Sequence, residues 1–155
     1  MEHNKKSCIY VDADACPGEV KDKILEYIHL ADIRFVATYN HYSSNQDHAL
    51  WTYIDDGSEA VDLYILNRVK RGDLVITQDI GLASLVLAKG VYAISPRGKE
   101  YNQDTIETSL SFRYLYQEER KKGRFHTGPK KVSKNDLDAF STCLIKYLTE
   151  NAGKN

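Results

Sequence analysis

Asp12 directly follows a short β-prone run, Ser7-Cys-Ile-Tyr-Val11, and Asp79 lies two residues beyond Thr77 at the end of another, Asp73-Leu-Val-Ile-Thr77. Asp62 falls in a helical stretch among Val61, Leu63, Ile65 and Leu66, where a side chain facing bulk water is not expected. In open parallel sheets, ligands bind beyond the carboxyl ends of the strands. Three carboxylates from distant segments can therefore meet at one edge. Such a cluster repels itself and is costly to bury unless a cation or a proton neutralises it. Oxygen-only ligation of this kind suits Mg²⁺ or Mn²⁺, which keep water and take phosphate oxygens as further ligands. Taken singly, each acid has a plainer role: Asp14 and Asp79 as helix caps, Asp12 as a turn former, Asp62 as a solvated helix position. Their joint placement favours the cation site.

A polyanionic ligand beside an acidic centre needs compensating positive charge. The formal net charge of -1 supplies none globally, so any attraction must be local. Arg97 and Lys99 lie in Ser95-Pro-Arg-Gly-Lys99, beyond a strand end, and can face the same edge. Further along, Arg120-Lys-Lys, Arg124 and Lys130-Lys131 gather six positive charges. They suit a phosphate-contacting arm, shaped by Gly128-Pro129, with Phe125 or His126 stacking on a base. The plainer reading is a solvated helix end and loop. Cys16, at the start of a helix, reads as a structural thiol. The three cysteines form no paired ligand spacing, so a structural zinc site is not expected. Tyr27 and Tyr64 sit on helix stripes and are expected to pack, while Tyr39 to Asn45 reads as a polar, aromatic loop at the rim of the site.

The elements that must position these residues follow from periodicity. Ser7 to Val11, Ile33 to Thr38, His48 to Ile54, Asp73 to Thr77 and Val91 to Ile94 read as strands. A helix starts at Pro17 and carries Val20, Ile24, Leu25, Ile28 and Leu30. Others run from Ser58 to about Arg71 and from Ile80 to Ala88, where Gly90 stops the chain's helical path. Asp104 to Lys122 reads as a polar helix, and a last helix beginning at Ser133 puts Leu137, Phe140, Leu144, Ile145 and Leu148 on one face. Strands alternating with amphipathic helices imply a three-layer α/β/α fold with a mostly parallel central sheet. With 42% apolar and 28% charged residues the chain has the balance of an ordinary globular protein. We expect one domain over residues 1–155, with 118–132 as a basic excursion and 151–155 as a disordered tail. The polar N-terminus and the lack of a bilayer-length apolar run point to a cytoplasmic protein without a membrane role.

Three motifs resemble the bacterial YaiI/YqxD proteins (UPF0178, DUF188): Asp12-Ala-Asp-Ala-Cys-Pro17, Asp56-Gly-Ser-Glu-Ala-Val-Asp62 and Asp73-Leu-Val-Ile-Thr-Gln-Asp-Ile-Gly-Leu-Ala83. Arg120, Gly123, Gly128-Pro129 and Asp136 to Phe140 extend the likeness over nearly the whole chain. That family is related to the PIN-like nucleases, so the resemblance implies a PIN-like fold. PIN-like enzymes are similar in carrying an aspartate after strand one, an acid on a middle helix and Thr-x-Asp after a later strand. Asp12, Asp62 and Thr77-Gln78-Asp79 match those positions, with Ile80, Gly81 and Leu82 where many PIN domains have a further acid. The implied activity is metal-assisted hydrolysis of phosphodiesters in nucleic acid, RNA foremost. Asp12, Asp62 and Asp79 would hold Mg²⁺ or Mn²⁺, Asp14 would orient a water or a second ion, and Thr77 would brace a carboxylate. Two alternatives stand beside it. Asp12-Ala-Asp14 also resembles the Asp-x-Asp start of haloacid-dehalogenase-like phosphatases, with Asp12 as nucleophile and Thr77 as a phosphate-binding hydroxyl. The other is a non-catalytic module binding nucleic acid or protein.

Overall fold

A computed structural model describes residues 7–55, 58–104, 106–107 and 131–151. Five strands form one sheet: β1 (Cys8–Asp12), β2 (Asp32–Thr38), β3 (Trp51–Ile54), β4 (Leu74–Ile76) and β5 (Tyr92–Ile94). All pairings are parallel, in the order β3-β2-β1-β4-β5. Among the described residues, the helices with both ends placed are α1 (Gly18–Leu25), α2 (Ser58–Arg68), α3 (Ile80–Ala88) and α4 (Lys134–Asn151).

Side chains alternate across a strand, and each face of this sheet has its own core. Ile9, Val11, Ile33, Phe35, Leu74 and Ile76 meet Val20 and Ile24 of α1 and Phe140, Leu144 and Tyr147 of α4. On the opposite face Val36, Val75 and Ala93 meet Val61, Ile65 and Val69 of α2 and Leu82, Ala83 and Val86 of α3. Two helix layers thus enclose a parallel sheet, the three-layer arrangement implied by the alternating pattern. Tyr27 and Tyr64 are half-buried against these two cores respectively, as expected, although Tyr27 lies in a turn beyond α1 rather than on a helix stripe. Cys16 is buried, and burial pushes its thiol up to about 12, away from a reactive thiolate.

Three helix boundaries differ from the periodicity, one being the end of α2, at Arg68 rather than about Arg71. Pro17 serves as the N-cap of α1 rather than its first residue. The helix then ends at Leu25, and bonds of the i to i−3 type, Tyr27 N to Ile24 O and Leu30 N to Tyr27 O, turn the chain toward β2. Ile28 and Leu30 therefore lie off the helix, and Leu30 is 61% exposed. The third strand is also shorter than the apolar run suggested. Asp47 accepts from Ala49 N at 2.9 Å through its side chain and from Leu50 N and Trp51 N through its carbonyl, so His48 to Leu50 form a turn.

At the C-terminus, Ser133 and Asp136 cap α4 reciprocally. Asp136 N donates to Ser133 Oγ at 3.0 Å and Ser133 N donates to Asp136 Oδ2 at 3.0 Å. Gly98 fits a close approach to this helix, with φ +88° and room for no Cβ, since one would lie 2.4 Å from the Ala139 carbonyl carbon. Most of the helix read over Asp104 to Lys122, most of the basic excursion 118–132, and the tail beyond Asn151 lie outside the described residues.

Candidate functional site

The strand order reverses direction between β1 and β4. From β1 the chain passes to β2 on one side, and from β4 to β5 on the other. Such a switch point opens a crevice at the carboxyl ends of the two strands, because their following connections diverge. Asp12 is the last residue of β1, and Thr77 directly follows β4, whose Ile76 pairs with Val11. The crevice is a cavity of about 360 Å³ lined by Asp12, Asp14, Ala15, Asp62, Gln78, Asp79 and Ile80.

Each carboxylate reaches it by a different local device. Asp12 is buried, and its Oδ2 accepts from Thr77 Oγ1 at 2.8 Å. The same hydroxyl accepts from Asp79 N at 2.9 Å, so fully buried Thr77 links the two acidic segments. Tyr101 OH donates to the Thr77 carbonyl at 3.2 Å and holds the strand end from the far side. Asp79 is the N-cap of α3 and accepts from Leu82 N at 3.2 Å. Its plain role and its place at the cavity thus coexist. Asp14, in a 3-10 turn over Ala13–Ala15, caps no helix. Its two oxygens accept from Thr38 N at 3.1 and 3.3 Å, and His41 Nδ1 stands 2.8 Å from Oδ1. Asp62 projects from α2, where Val61 and Ile65 face the core while Leu63 is 57% exposed.

The electrostatics separate these groups. Burial raises the Asp12 carboxyl; the Thr77 hydrogen bond opposes this, and the charges of Asp79 and Asp14 reinforce it. Asp62 is pushed up to about 7, first by burial, then by a hydrogen bond with Asp79 and by the charges of Asp79, Asp12 and Glu59. Every one of these influences acts against its anion. The Asp62 carboxyl is therefore held toward its neutral form when no cation stands beside it. Among the described residues no three His, Cys, Asp or Glu side chains stand as a ready-made metal ligand set. The donors are nonetheless all oxygen and line one cavity, which is the donor chemistry that a hard divalent cation takes.

The basic residues fall in different places. Arg97 donates through Nη1 to Asp136 Oδ2 at 2.7 Å, so it ties the Ser95–Lys99 turn to the start of α4. Lys99 is exposed on that turn, and Lys131 is exposed just before α4. Arg120, Arg124 and Lys130, with Phe125, His126 and Gly128-Pro129, lie outside the described residues. The sequence reading did not single out two residues at the crevice, although His41 falls in the segment from Tyr39 to Asn45 expected at its rim. Gln78 lines the cavity and donates through Nε2 to Ala15 O at 2.8 Å, and His41 reaches Asp14 from the turn after β2. Neither shows a spacing that reveals it, because both contacts join segments far apart in the chain. No described helix is long and apolar enough to cross a membrane.

Fold and site together define an open, all-parallel α/β protein with a carboxylate-lined crevice at its switch point. The chain belongs to the YaiI/YqxD family (DUF188), described as uncharacterized, whose model matches residues 10–150. It is 43% identical to a UPF0178 protein of Bacillus velezensis, over 97% of this chain and 90% of that one. It is 45% identical to a UPF0178 protein of Bacillus cytotoxicus over 95% and 96%. A UPF0178 protein of Listeria monocytogenes is 41% identical over 90% and 96%. No solved structure gives a significant match.

Proposed function

We propose that this protein is a Mg²⁺- or Mn²⁺-dependent phosphodiesterase acting on nucleic acid, RNA foremost, at the crevice between β1 and β4. The observation that carries this reading is Asp62. Its carboxylate lines the same cavity as Asp12 and Asp79, and among the described residues nothing around it favours the charged form. Groups so perturbed concentrate at functional sites, where a ligand from outside supplies the missing charge. The likeness to PIN-like nucleases agrees, since Asp12, Asp62 and Asp79 occupy the matching positions.

Asp12, Asp62 and Asp79 would hold the cation, which when bound offsets phosphate charge and lowers the pKa of a coordinated water. The chain's own residues prepare the place. Thr77 fixes the Asp12 carboxylate through Oδ2 and holds Asp79 through its backbone N–H. Asp62, whose neutral form the surroundings favour, would have to release its proton to serve as a ligand, which would couple cation binding to pH. Asp14, oriented by Thr38 N and His41, stands at the rim as an acceptor for a proton from water. The phosphatase alternative asks Thr77 Oγ1 to bind phosphate, but that hydroxyl is fully buried between Asp12 and Asp79 N.

The test pairs binding with turnover. Mn²⁺ should raise the melting temperature of the wild type and switch on cleavage of end-labelled single-stranded RNA or DNA. Asp12→Asn should lose both responses while melting normally in EDTA. Metal-independent cleavage, or an undiminished Mn²⁺ response in Asp12→Asn, would rule the reading out. Covalent labelling of Asp12 by a phosphate donor would favour the phosphatase.

A further inference from the structure

Beyond the crevice, the turn after β2 presents aromatic faces that core formation does not require. β3 is an edge strand, and its Trp51 and Tyr53 point to one face, as residues two apart must. Trp51 stacks on buried Phe35, with centroids 4.8 Å apart and planes at 15°. Tyr53 stacks on Trp51 at 5.8 Å and 15°, and Tyr39 on Tyr53 at 5.9 Å and 25°. Tyr42 meets Tyr53 edge-on at 5.1 Å. The series begins in the core and ends in solvent: Tyr39 is 57% exposed and Tyr42 49%. A packing role accounts for Phe35 and Trp51 but not for two outer rings left about half exposed.

This outer end is tied to the acidic crevice. Tyr39 directly follows Thr38, whose backbone N–H donates to Asp14, and Asp14 lines the cavity. His41, in the same turn as Tyr39, contacts the same carboxylate. The Lys21 ammonium accompanies the rings, with Nζ 5.4 Å from the Trp51 centroid, and the His48 ring stacks on Tyr42 at 6.1 Å. Aromatic faces backed by a core, accompanied by the Lys21 ammonium and joined to the proposed phosphodiester site suit an unpaired nucleic-acid strand. Bases in a duplex keep their faces covered, and bases in a single strand offer them.

We propose that Tyr39 and Tyr42, supported by Tyr53 and Trp51, form a base-stacking track that leads a single-stranded nucleic acid into the crevice. The proposal rests on the phosphodiesterase reading for its ligand and makes the substrate single-stranded. Trp51, the sole tryptophan, is a built-in fluorescent reporter.

Titration of the full chain in EDTA, where metal-dependent hydrolysis is silent, tests it. The probes are a short oligo(dT) strand, oligo(U), an abasic strand of equal length and a blunt duplex. The two base-bearing strands should quench Trp51 and bind about tenfold tighter than the abasic strand or the duplex, given the strength of base–aromatic stacking. Tyr39→Ala and Tyr42→Ala should each weaken strand binding about tenfold, and Tyr39→Phe, which keeps the ring, should bind as the wild type does. Circular dichroism melts confirm that the variants fold. Absence of strand binding, equal affinity for the abasic strand or the duplex, or unchanged affinity in both alanine variants would overturn the track. Preferential capture of a protein ligand by these rings, without strand binding, would overturn it too. The two readings fail separately. Tyrosine-dependent binding without cleavage in any metal leaves the track standing and removes hydrolysis. Metal-dependent cleavage that ignores Tyr39 and Tyr42 removes the track alone.

Discussion

Asp62→Asn is the perturbation that most directly reads the state of the crevice. In the wild type the Asp62 carboxyl is pushed from 3.8 up to about 7. An asparagine keeps the shape and can still donate a hydrogen bond to Asp79, but it carries no charge at any pH. Below about pH 4 Asp62 is protonated in both folded and unfolded chains, so wild type and variant should be equally stable. Between 3.8 and about 7 the unfolded chain ionises while the folded chain keeps its proton, so the folded state binds more protons and wild-type stability falls as pH rises. Above about 7 the gap is fully open and constant. At about 1.4 kcal/mol per pH unit the face value is about 4 kcal/mol. Asp62 is only half-buried, and solvent screening reduces this to about 1–2 kcal/mol.

In a chain of this length that corresponds to a rise in Tm of about 3–6 °C for Asp62→Asn at pH 8 in EDTA, and of nearly zero at pH 4. Calorimetry at a series of pH values measures it. Adding Mn²⁺ at pH 8 should then reverse the order, stabilising the wild type and leaving the variant unmoved. A variant that is less stable at pH 8, or a gap that does not change with pH, would refute the electrostatic account of Asp62. A gain in stability on removing a carboxylate is the usual signature of a group kept for function.

Two further substitutions test the supports of the crevice. Thr77→Val leaves a buried carboxylate oxygen of Asp12 and the Asp79 amide without their shared hydroxyl. It should cost about 1–3 kcal/mol, seen as a lower denaturation midpoint at unchanged m-value, with Thr77→Ser restoring most of the loss. Gly98→Ala places a Cβ against the α4 backbone at φ +88°. It should cost about 3 kcal/mol or more from the left-handed conformation and the clash together, measured by urea denaturation.

The sequence made the strand ends legible because β1 and β4 are short apolar runs closed by Asp12 and Thr77, and such punctuation is local. It also suggested that Asp62 would not face open water. The reason offered was too coarse, since neighbouring Leu63 is itself exposed and only Val61 and Ile65 turn to the core. Apolar spacing misled at Ile28 and Leu30, where hydrogen-bonded turns replace the helix and carry both side chains to the surface. The ion pair of Arg97 with Asp136 and the approach of His41 to Asp14 were invisible for another reason. Each depends on how a distant element docks, and no periodicity within one segment encodes that.

The four acids at the crevice are not equivalent, and their differences bear on what the crevice is for. Asp79 would be retained as the cap of α3 even without a ligand. Asp14 fastens the end of β2, and Asp12 is braced by Thr77. Each of these three accepts a hydrogen bond from a donor within the chain. Asp62 differs: burial, its hydrogen bond with Asp79 and the charges around it all disfavour its anion. If the crevice were merely a structural knot, an asparagine or glutamine at position 62 would serve it better at neutral pH. The carboxylate makes physical sense when a positive charge from outside occupies the space it shares with Asp12 and Asp79. Asp62, the acid with least to do in the fold, is therefore the residue on which the cation reading turns.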